Sequence, residues 1–323
     1  MPPKVCKKLQ KITLFFIIAF SNLVYAQTNT GTVRILSGST PGTSTDIIAR
    51  LIAPKLSEKL GQPVIVENRP GLGGLLAIDH LLNSKSDNLN ILITGANHAT
   101  GAAMRKQSPF NPVGDFKWIT TLTSYPMIVA VGLNSKYKTL EDLISYGQAN
   151  PGKLSFSSVG LGTAHHLIGE WLNAELALQM VHIPYKGSPT ALVDVISGDV
   201  SVMIDTSTFV LQQVKQGKLR ALAISSATPS DDYPGVPVLS KFVKDLEYDS
   251  WIGLIANKDL SDDRVKKINE ILKPILNSSD VKNSFVTIGA LPKFSSPEEF
   301  KSLVERDLLK WNGVINSRNI PRQ

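Results

Sequence analysis

The sequence predicts an α/β protein with largely parallel strands, and two observations carry the prediction. Short β-branched runs alternate with amphipathic stretches at helical spacing along most of the chain, the pattern of strands joined by crossover helices. The chain is 323 residues long; with domains of about 100 to 200 residues, that length points to two of them.

The elements justify this in order. Residues 33–36 (Val-Arg-Ile-Leu) read as a strand, and a polar loop leads from it to a helix over residues 47–60. Ile47, Ile48, Leu51, Ile52, Leu56 and Leu60 recur there at helical spacing, Thr45 or Asp46 is placed to cap the free N–H groups, and Gly61 with Pro63 ends the helix. Residues 64–66 and 91–94 read as buried strands, separated by the turn Gly71-Leu72-Gly73-Gly74 and a helix through Leu82. Strands follow at 127–131, 154–158, 181–183, 201–204 and 219–224, each expected to be succeeded by a helical stretch. After Pro234-Gly235-Val236-Pro237 one more strand, 251–256, precedes a mainly helical end. Ser296-Pro297-Glu298-Glu299 has Ser at the N-cap, Pro at N1 and Glu at N3, and Thr139-Leu140-Glu141-Asp142 starts a helix in a weaker form of the same way.

Residues 1–26 read differently. Lys4, Lys7, Lys8 and Lys11 precede an apolar run over 12–20 and the small-residue ending Val24-Tyr25-Ala26, which is the pattern of a secretory signal peptide cleaved near Ala26. The run is shorter than the roughly 20 residues that span a bilayer. The one cysteine, Cys6, lies in the charged leader, so the mature chain would hold no disulfide and no thiolate nucleophile. The net charge of +7 falls to +3 without the four leader lysines, which removes the main support for nucleic-acid binding but suits an anionic small molecule.

Catalytic signatures are weak. Ser39 in Gly38-Ser39-Thr40-Pro41-Gly42 follows the first glycine directly, unlike a nucleophile elbow, and neither Gly160-Leu161-Gly162 nor the 71–74 turn completes a dinucleotide fingerprint. His166 and Glu170 lie four apart on a helix beside His165, so a periplasmic metal-capture protein stands as an alternative, with too few ligands to favour it. An exported enzyme is a more remote alternative, and neither a catalytic residue nor a cofactor is assigned.

A set of ordered segments carries a resemblance: 46–50, Leu60-Gly61-Gln62-Pro63-Val64, Glu67-Asn68-Arg69-Pro70-Gly71, Asn150-Pro151-Gly152-Lys153-Leu154, His182-Ile183-Pro184-Tyr185-Lys186-Gly187-Ser188, Gly198-Asp199-Val200, 217–223, 296–300 and Lys310-Trp311. The chain resembles the tripartite tricarboxylate transporter receptor family, periplasmic proteins of the Bug or citrate-receptor type. The resemblance implies a type II periplasmic-binding-protein fold, two α/β lobes joined by two crossover segments, with residues 27–124 plus 245–323 as lobe 1 and 125–244 as lobe 2. It also implies a monomeric receptor in the periplasm that binds a small organic carboxylate and delivers it to the membrane subunits of a tripartite transporter, without nucleic acid and without chemistry on the ligand.

Candidate contacts follow from what an anion needs. A helix N-terminus offers unpaired backbone N–H groups and a partial positive charge. Two helices here begin after polar loops containing Gly, 37–46 and 157–166, which the resemblance places on opposite lobes. The candidate ligand contacts are Thr40, Gly42, Thr43 and Ser44 in the first loop, and Ser158, Gly160, Gly162, Thr163 and His165 in the second. Ser39, Thr40, Thr43 and Ser44 stand where relatives carry aromatic and glycine residues, which implies a more hydrogen-bonding pocket. Ala164 and His165 replace hydroxyl residues of the family. Thr94 and Asn97 follow a strand at the edge where open α/β sheets place ligands, and Asp205 matches an acidic family position. Tyr185 and Lys186 are read as shaping a hinge-side turn, and His166 as packing.

Overall fold

The structure, a computed structural model, describes residues 31–84 and 89–322; the basic leader and its cleavage point lie outside them. In chain order the elements are β1 (Val33–Ser37), α1 (Ser44–Leu60), β2 (Val64–Asn68), α2 (Leu75–Leu82), β3 (Asn90–Gly95), α3 (Asn97–Ala103) and β4 (Phe116–Gly132). Then come α4 (Leu140–Ala149), β5 (Ser155–Ser158), α5 (Ala164–Leu176), β6 (Val181–Pro184), α6 (Ser188–Ser197), β7 (Val202–Thr206), α7 (Ser207–Lys215) and β8 (Leu219–Ile224). The chain closes with β9 (Asp249–Asn257), α8 (Asp262–Asn277), α9 (Ser279–Thr287), β10 (Leu291–Pro292) and α10 (Pro297–Ser317).

One long strand serves two sheets. Up to Pro126, β4 pairs antiparallel with β9; from Met127 it pairs antiparallel with β7 and β8. The first sheet runs β2-β1-β3-β9-β4, with β10 on the far side of β4; the second runs β8-β4-β7-β5-β6. The pairs β1–β2, β1–β3, β5–β6 and β5–β7 are parallel, as the alternation predicts. The antiparallel pairs all involve β4 or β9, the strands that carry the chain out of one sheet and back into it, and a chain that returns at the same edge must run the other way.

Three local expectations are corrected. Helix α1 starts at Ser44 with Thr43 as N-cap, so Thr45 and Asp46 lie in its first turn. No helix follows β8 directly: residues 225–248 form the second crossover, with only a 3₁₀ turn at Leu239–Lys241. The first half of β4 shows no apolar run in sequence, because its hydroxyls are buried against a distant segment. Thr120, Thr121 and Thr123 donate through Oγ1 to the carbonyls of Ser295, Lys293 and Leu291, at 2.9, 2.8 and 2.6 Å. Pro126, which would interrupt a central ladder, sits where β4 leaves one sheet for the other. Both helix starts read from caps are present as full capping boxes, Ser296 with Glu299 and Thr139 with Asp142.

The two crossover strands are tied to each other at Ser225, which is fully buried. Its Oγ accepts the Met127 N–H at 2.8 Å and donates to the Tyr248 carbonyl; its N–H donates to Met127 O at 2.9 Å, and its carbonyl accepts the Tyr248 N–H at 2.8 Å. Ser225→Ala leaves the Met127 N–H and the Tyr248 carbonyl short of a partner, and should lower unfolding stability by about 2 kcal/mol in a urea titration. An unchanged midpoint would mean that the knot is not a structural pin.

Candidate functional site

The first loop folds over the carboxylate of Asp46. Asp46 Oδ2 accepts the Gly42 N–H at 2.9 Å and Arg50 Nε at 3.0 Å, and Oδ1 accepts Asn68 Nδ2 at 2.9 Å. Asn68 Nδ2 also donates to Ser39 O at 3.0 Å, joining the loop to the end of β2. Burial alone would raise this carboxyl, but the hydrogen bonds from Arg50, Gly42 and Asn68 outweigh it and hold the group below its ordinary value. A Cβ on Gly38 would sit 2.7 Å from the Cα of Gly74, so the loop rests on the glycine turn in backbone contact that only glycine permits.

This fold leaves the start of α1 open. Thr43 Oγ1 donates to Thr40 O at 2.9 Å instead of capping the helix. Among the described residues, no acceptor is paired with the first-turn N–H groups of Ser44, Thr45 and Asp46. They form a compact set of donors at the positive end of a 17-residue helix.

The second loop is braced differently. Ser158 Oγ lies 2.6 Å from His182 Nε2 and accepts the Gly160 N–H at 3.1 Å, while Thr163, the N-cap of α5, donates to Gly160 O at 2.7 Å and accepts the His166 N–H at 3.4 Å. His166 Nδ1 accepts the Gly162 N–H at 3.3 Å, and its ring lies 4.3 Å from that of His182. Accepting an N–H requires Nδ1 unprotonated, and burial, with the neighbouring His182, pushes His166 down to about 4; burial does the same to His182. The N–H groups of Ala164 and His165 are unpaired among the described residues.

Each loop touches an element that follows the other sheet's strands. A Cβ on Gly162, where φ is +74°, would come within 3.2 Å of Met104 Cβ and 3.7 Å of the Cα of Gly101, just beyond and within α3. Ser44 Oγ lies 2.7 Å from Thr208 Oγ1 at the start of α7. Thr208 Oγ1 is 2.7 Å from Thr206 Oγ1, which lies 3.3 Å from Asp205 Oδ1. Asp205 Oδ1 also accepts the Thr206 N–H at 2.7 Å and lies 3.3 Å from His165 Nε2. Both His165 and Asp205 are buried. Burial raises the Tyr125 phenol to about 12, with Ser250 opposing and the Asp205 charge adding; burial also raises Tyr233, with Asp232 and Asp205 adding. Both stay protonated, and Tyr233 donates to Ser207 O at 3.2 Å.

Residues 48–320 match the family of tripartite tricarboxylate transporter family receptors. The chain belongs to that family. Its members are periplasmic solute-binding receptors, not a family of enzymes, and the fold of this receptor is their two-lobed mixed α/β fold. It is 30% identical over 278 residues to protein BugT of Bordetella pertussis, covering 85% of each chain. It is similar to a Rhodopseudomonas palustris protein solved with adipate, at 27% identity and TM-score 0.85, over 90% of this chain and 98% of that one. It is also similar to MatC of the same organism with bound malate, at 25% identity and TM-score 0.81, over 88% and 98%.

The receptor's sequence-predicted residues fall into three groups. Ser44, Gly162, His165 and Asp205 take part in contacts between elements. Gly42, Thr43, Thr40, Ser158, Gly160 and Thr163 hold their own loops in shape through the bonds above. Thr94 and Asn97 sit at the end of β3 and the start of α3, and neither side chain hydrogen-bonds to the other candidates among the described residues. Tyr185 donates to Asp194 on α6, and not toward the loops. Sequence reading missed Thr206, Ser207 and Thr208, which form a third polar helix start in the receptor. The run Asp205-Thr206-Ser207-Thr208 directly after an apolar strand was the available signal. No three His, Cys, Asp or Glu side chains gather closely enough to hold a metal ion among the described residues. A separate groove of about 640 Å³, lined by Lys117, Asp262, Lys266, Glu270 and Lys301 among others, lies by the starts of α8 and α10.

Proposed function

We propose that this receptor captures a small organic acid, of dicarboxylate size, between the starts of α1 and α5 and passes it to the membrane subunits of a tripartite tricarboxylate transporter. The observation that carries the reading is the pair of helix N-termini on different sheets, each with N–H groups unpaired among the described residues, and each touching an element of the other half: Ser44 meets Thr208 at the start of α7, and Gly162 lies against Met104 and Gly101 of the α3 segment. A carboxylate entering there exchanges water for preorganised donors of partial positive charge. The bound adipate and malate of the two similar structures, both dicarboxylates, support that ligand class.

Residues 27–124 with 245–323 act as one lobe and 125–244 as the other, moving about the crossovers near Pro126 and Ser225, and ligand selects the closed arrangement. The chain is exported to the periplasm by its leader, works as a monomer, and releases its ligand unchanged. Thermal unfolding of the protein against mono-, di- and tricarboxylates tests this. At 100 times its Kd a true ligand contributes about 2.7 kcal/mol to apparent stability, so one dicarboxylate should raise Tm by several degrees while amino acids and inorganic anions leave it in place. A panel without any carboxylate response would reject the reading.

A further inference from the structure

A chain of hydroxyl and carboxylate oxygens crosses from one sheet to the other: Ser44 Oγ, Thr208 Oγ1 at 2.7 Å, Thr206 Oγ1 at 2.7 Å, Asp205 Oδ1 at 3.3 Å, then His165 Nε2 at 3.3 Å. It begins on the first turn of α1 and ends on the first turn of α5, the two helix starts with N–H groups that lack partners among the described residues. Ser44 and Thr208 lie 164 residues apart, and both are partly buried. From this we infer that Ser44 and Thr208 are positioning residues, a latch whose single hydrogen bond forms when the lobes close and holds the two helix starts at the spacing that grips the ligand.

The chain's order matters. Thr206 Oγ1 donates its one proton to Asp205 Oδ1 and so must accept from Thr208 Oγ1; Thr208 in turn accepts from Ser44 Oγ, so the two threonine hydroxyls each donate once and accept once, and the serine donates. The direction of every bond is set by the carboxylate at one end. The latch belongs to the hydroxyl-rich first loop, and it adds a closing contact that needs no ligand. The ligand feels it through the closed population: removing the bond lowers the fraction of closed protein, weakens binding and speeds release without altering the groups that touch the carboxylate.

The inference rests on the proposed capture of a carboxylate between the lobes, and its test separates the two. Cys6 is the only cysteine, so in a Cys6→Ser background a Ser44→Cys, Thr208→Cys pair gives one possible intramolecular disulfide. The two oxygens are 2.7 Å apart, near enough for an S–S bond of about 2.05 Å after small adjustment. Mild oxidation without ligand should yield the cross-linked monomer, detected by mass and by gel mobility without reductant. A pair that stays reduced, or joins only between molecules, would overturn the latch whatever the ligand proves to be. In parallel, Thr208→Val, which keeps the shape and loses the hydroxyl, should raise Kd for the dicarboxylate about fivefold, the equivalent of one ordinary hydrogen bond. Most of that change should lie in the dissociation rate, and Thr208→Ser should restore the wild-type values. Equal affinity in Thr208→Val and wild type would refute the positioning role. Cross-linking with no carboxylate binding in the parent would instead uphold the latch and count against the ligand.

Discussion

Asp46→Ala should be the most damaging single substitution in the first loop, lowering unfolding stability by about 3 kcal/mol and weakening carboxylate binding at least tenfold. Among the described residues the buried carboxylate is the only acceptor of the Gly42 N–H and one of two for Asn68 Nδ2. Removing it strands both donors inside the loop and releases the exposed Arg50, which loses little because its own charge stays in water. The backbone N–H groups of Ser44, Thr45 and Asp46 survive the change, but the loop that presents them loses its anchor to β2. Urea unfolding and calorimetric titration read the two effects separately. Asp46→Asn, which keeps an acceptor at Oδ1, should retain more stability than the alanine variant. Alanine and asparagine variants as stable as the parent would show that the loop is held by its contact with Gly74 alone.

The second large effect is acid sensitivity. His98, His166 and His182 are each pushed down to about 4 by burial, with His182 adding to the effect on His166. A histidine held neutral in the folded state takes up its proton on unfolding once pH is below about 6.5. Its contribution is therefore fully present above pH 6.5 and is lost as pH falls toward 4. His98 lies among Phe110, Phe116 and Trp118, with Nε2 2.6 Å from Pro112 O. Asp307 works in the opposite sense: burial raises it to about 6, against the opposing pull of Trp251 and Lys310, so acid favours its folded form. Burial raises Glu170 likewise. Setting His98 and His166 against Asp307, and discounting the half-exposed His182, stability should fall by roughly 3 kcal/mol between pH 7 and pH 4.5. His98→Gln, which keeps a donor toward Pro112, should flatten that fall by about one proton. A urea midpoint that is level or rising over this range would refute the assignment of neutral, buried imidazoles.

Much of the fold could be read because local signals agreed with tertiary ones. The helical spacing of 47–60, the capping boxes at Thr139 and Ser296, and the β-branched runs at 33–36, 91–94 and 219–224 each had one reading. What stayed hidden depended on partners far along the chain. The threonines of 116–126 look like a polar loop until residues 291–295 arrive to accept their hydroxyls, and no local pattern announces a partner some 170 residues away. The site divides along the same line. The polar loops before α1 and α5 were visible as loops, and Asp205 as an acidic end of a strand. That Asp46 braces its own loop, that Ser158 is consumed by His182, and that Thr208 reaches Ser44 are facts of packing between elements that sequence order separates.

In the proposed complex a carboxylate is held between two helix starts. The most direct measurement is a crystal structure of the protein grown with the dicarboxylate that gives the largest thermal shift. One carboxylate should lie about 3 Å from N–H groups of Ser44, Thr45 or Asp46, with the ligand also reaching the start of α5 at Ala164 and His165. Density for the ligand in the groove beside Lys117 and Lys301, with those helix starts facing only water, would contradict it.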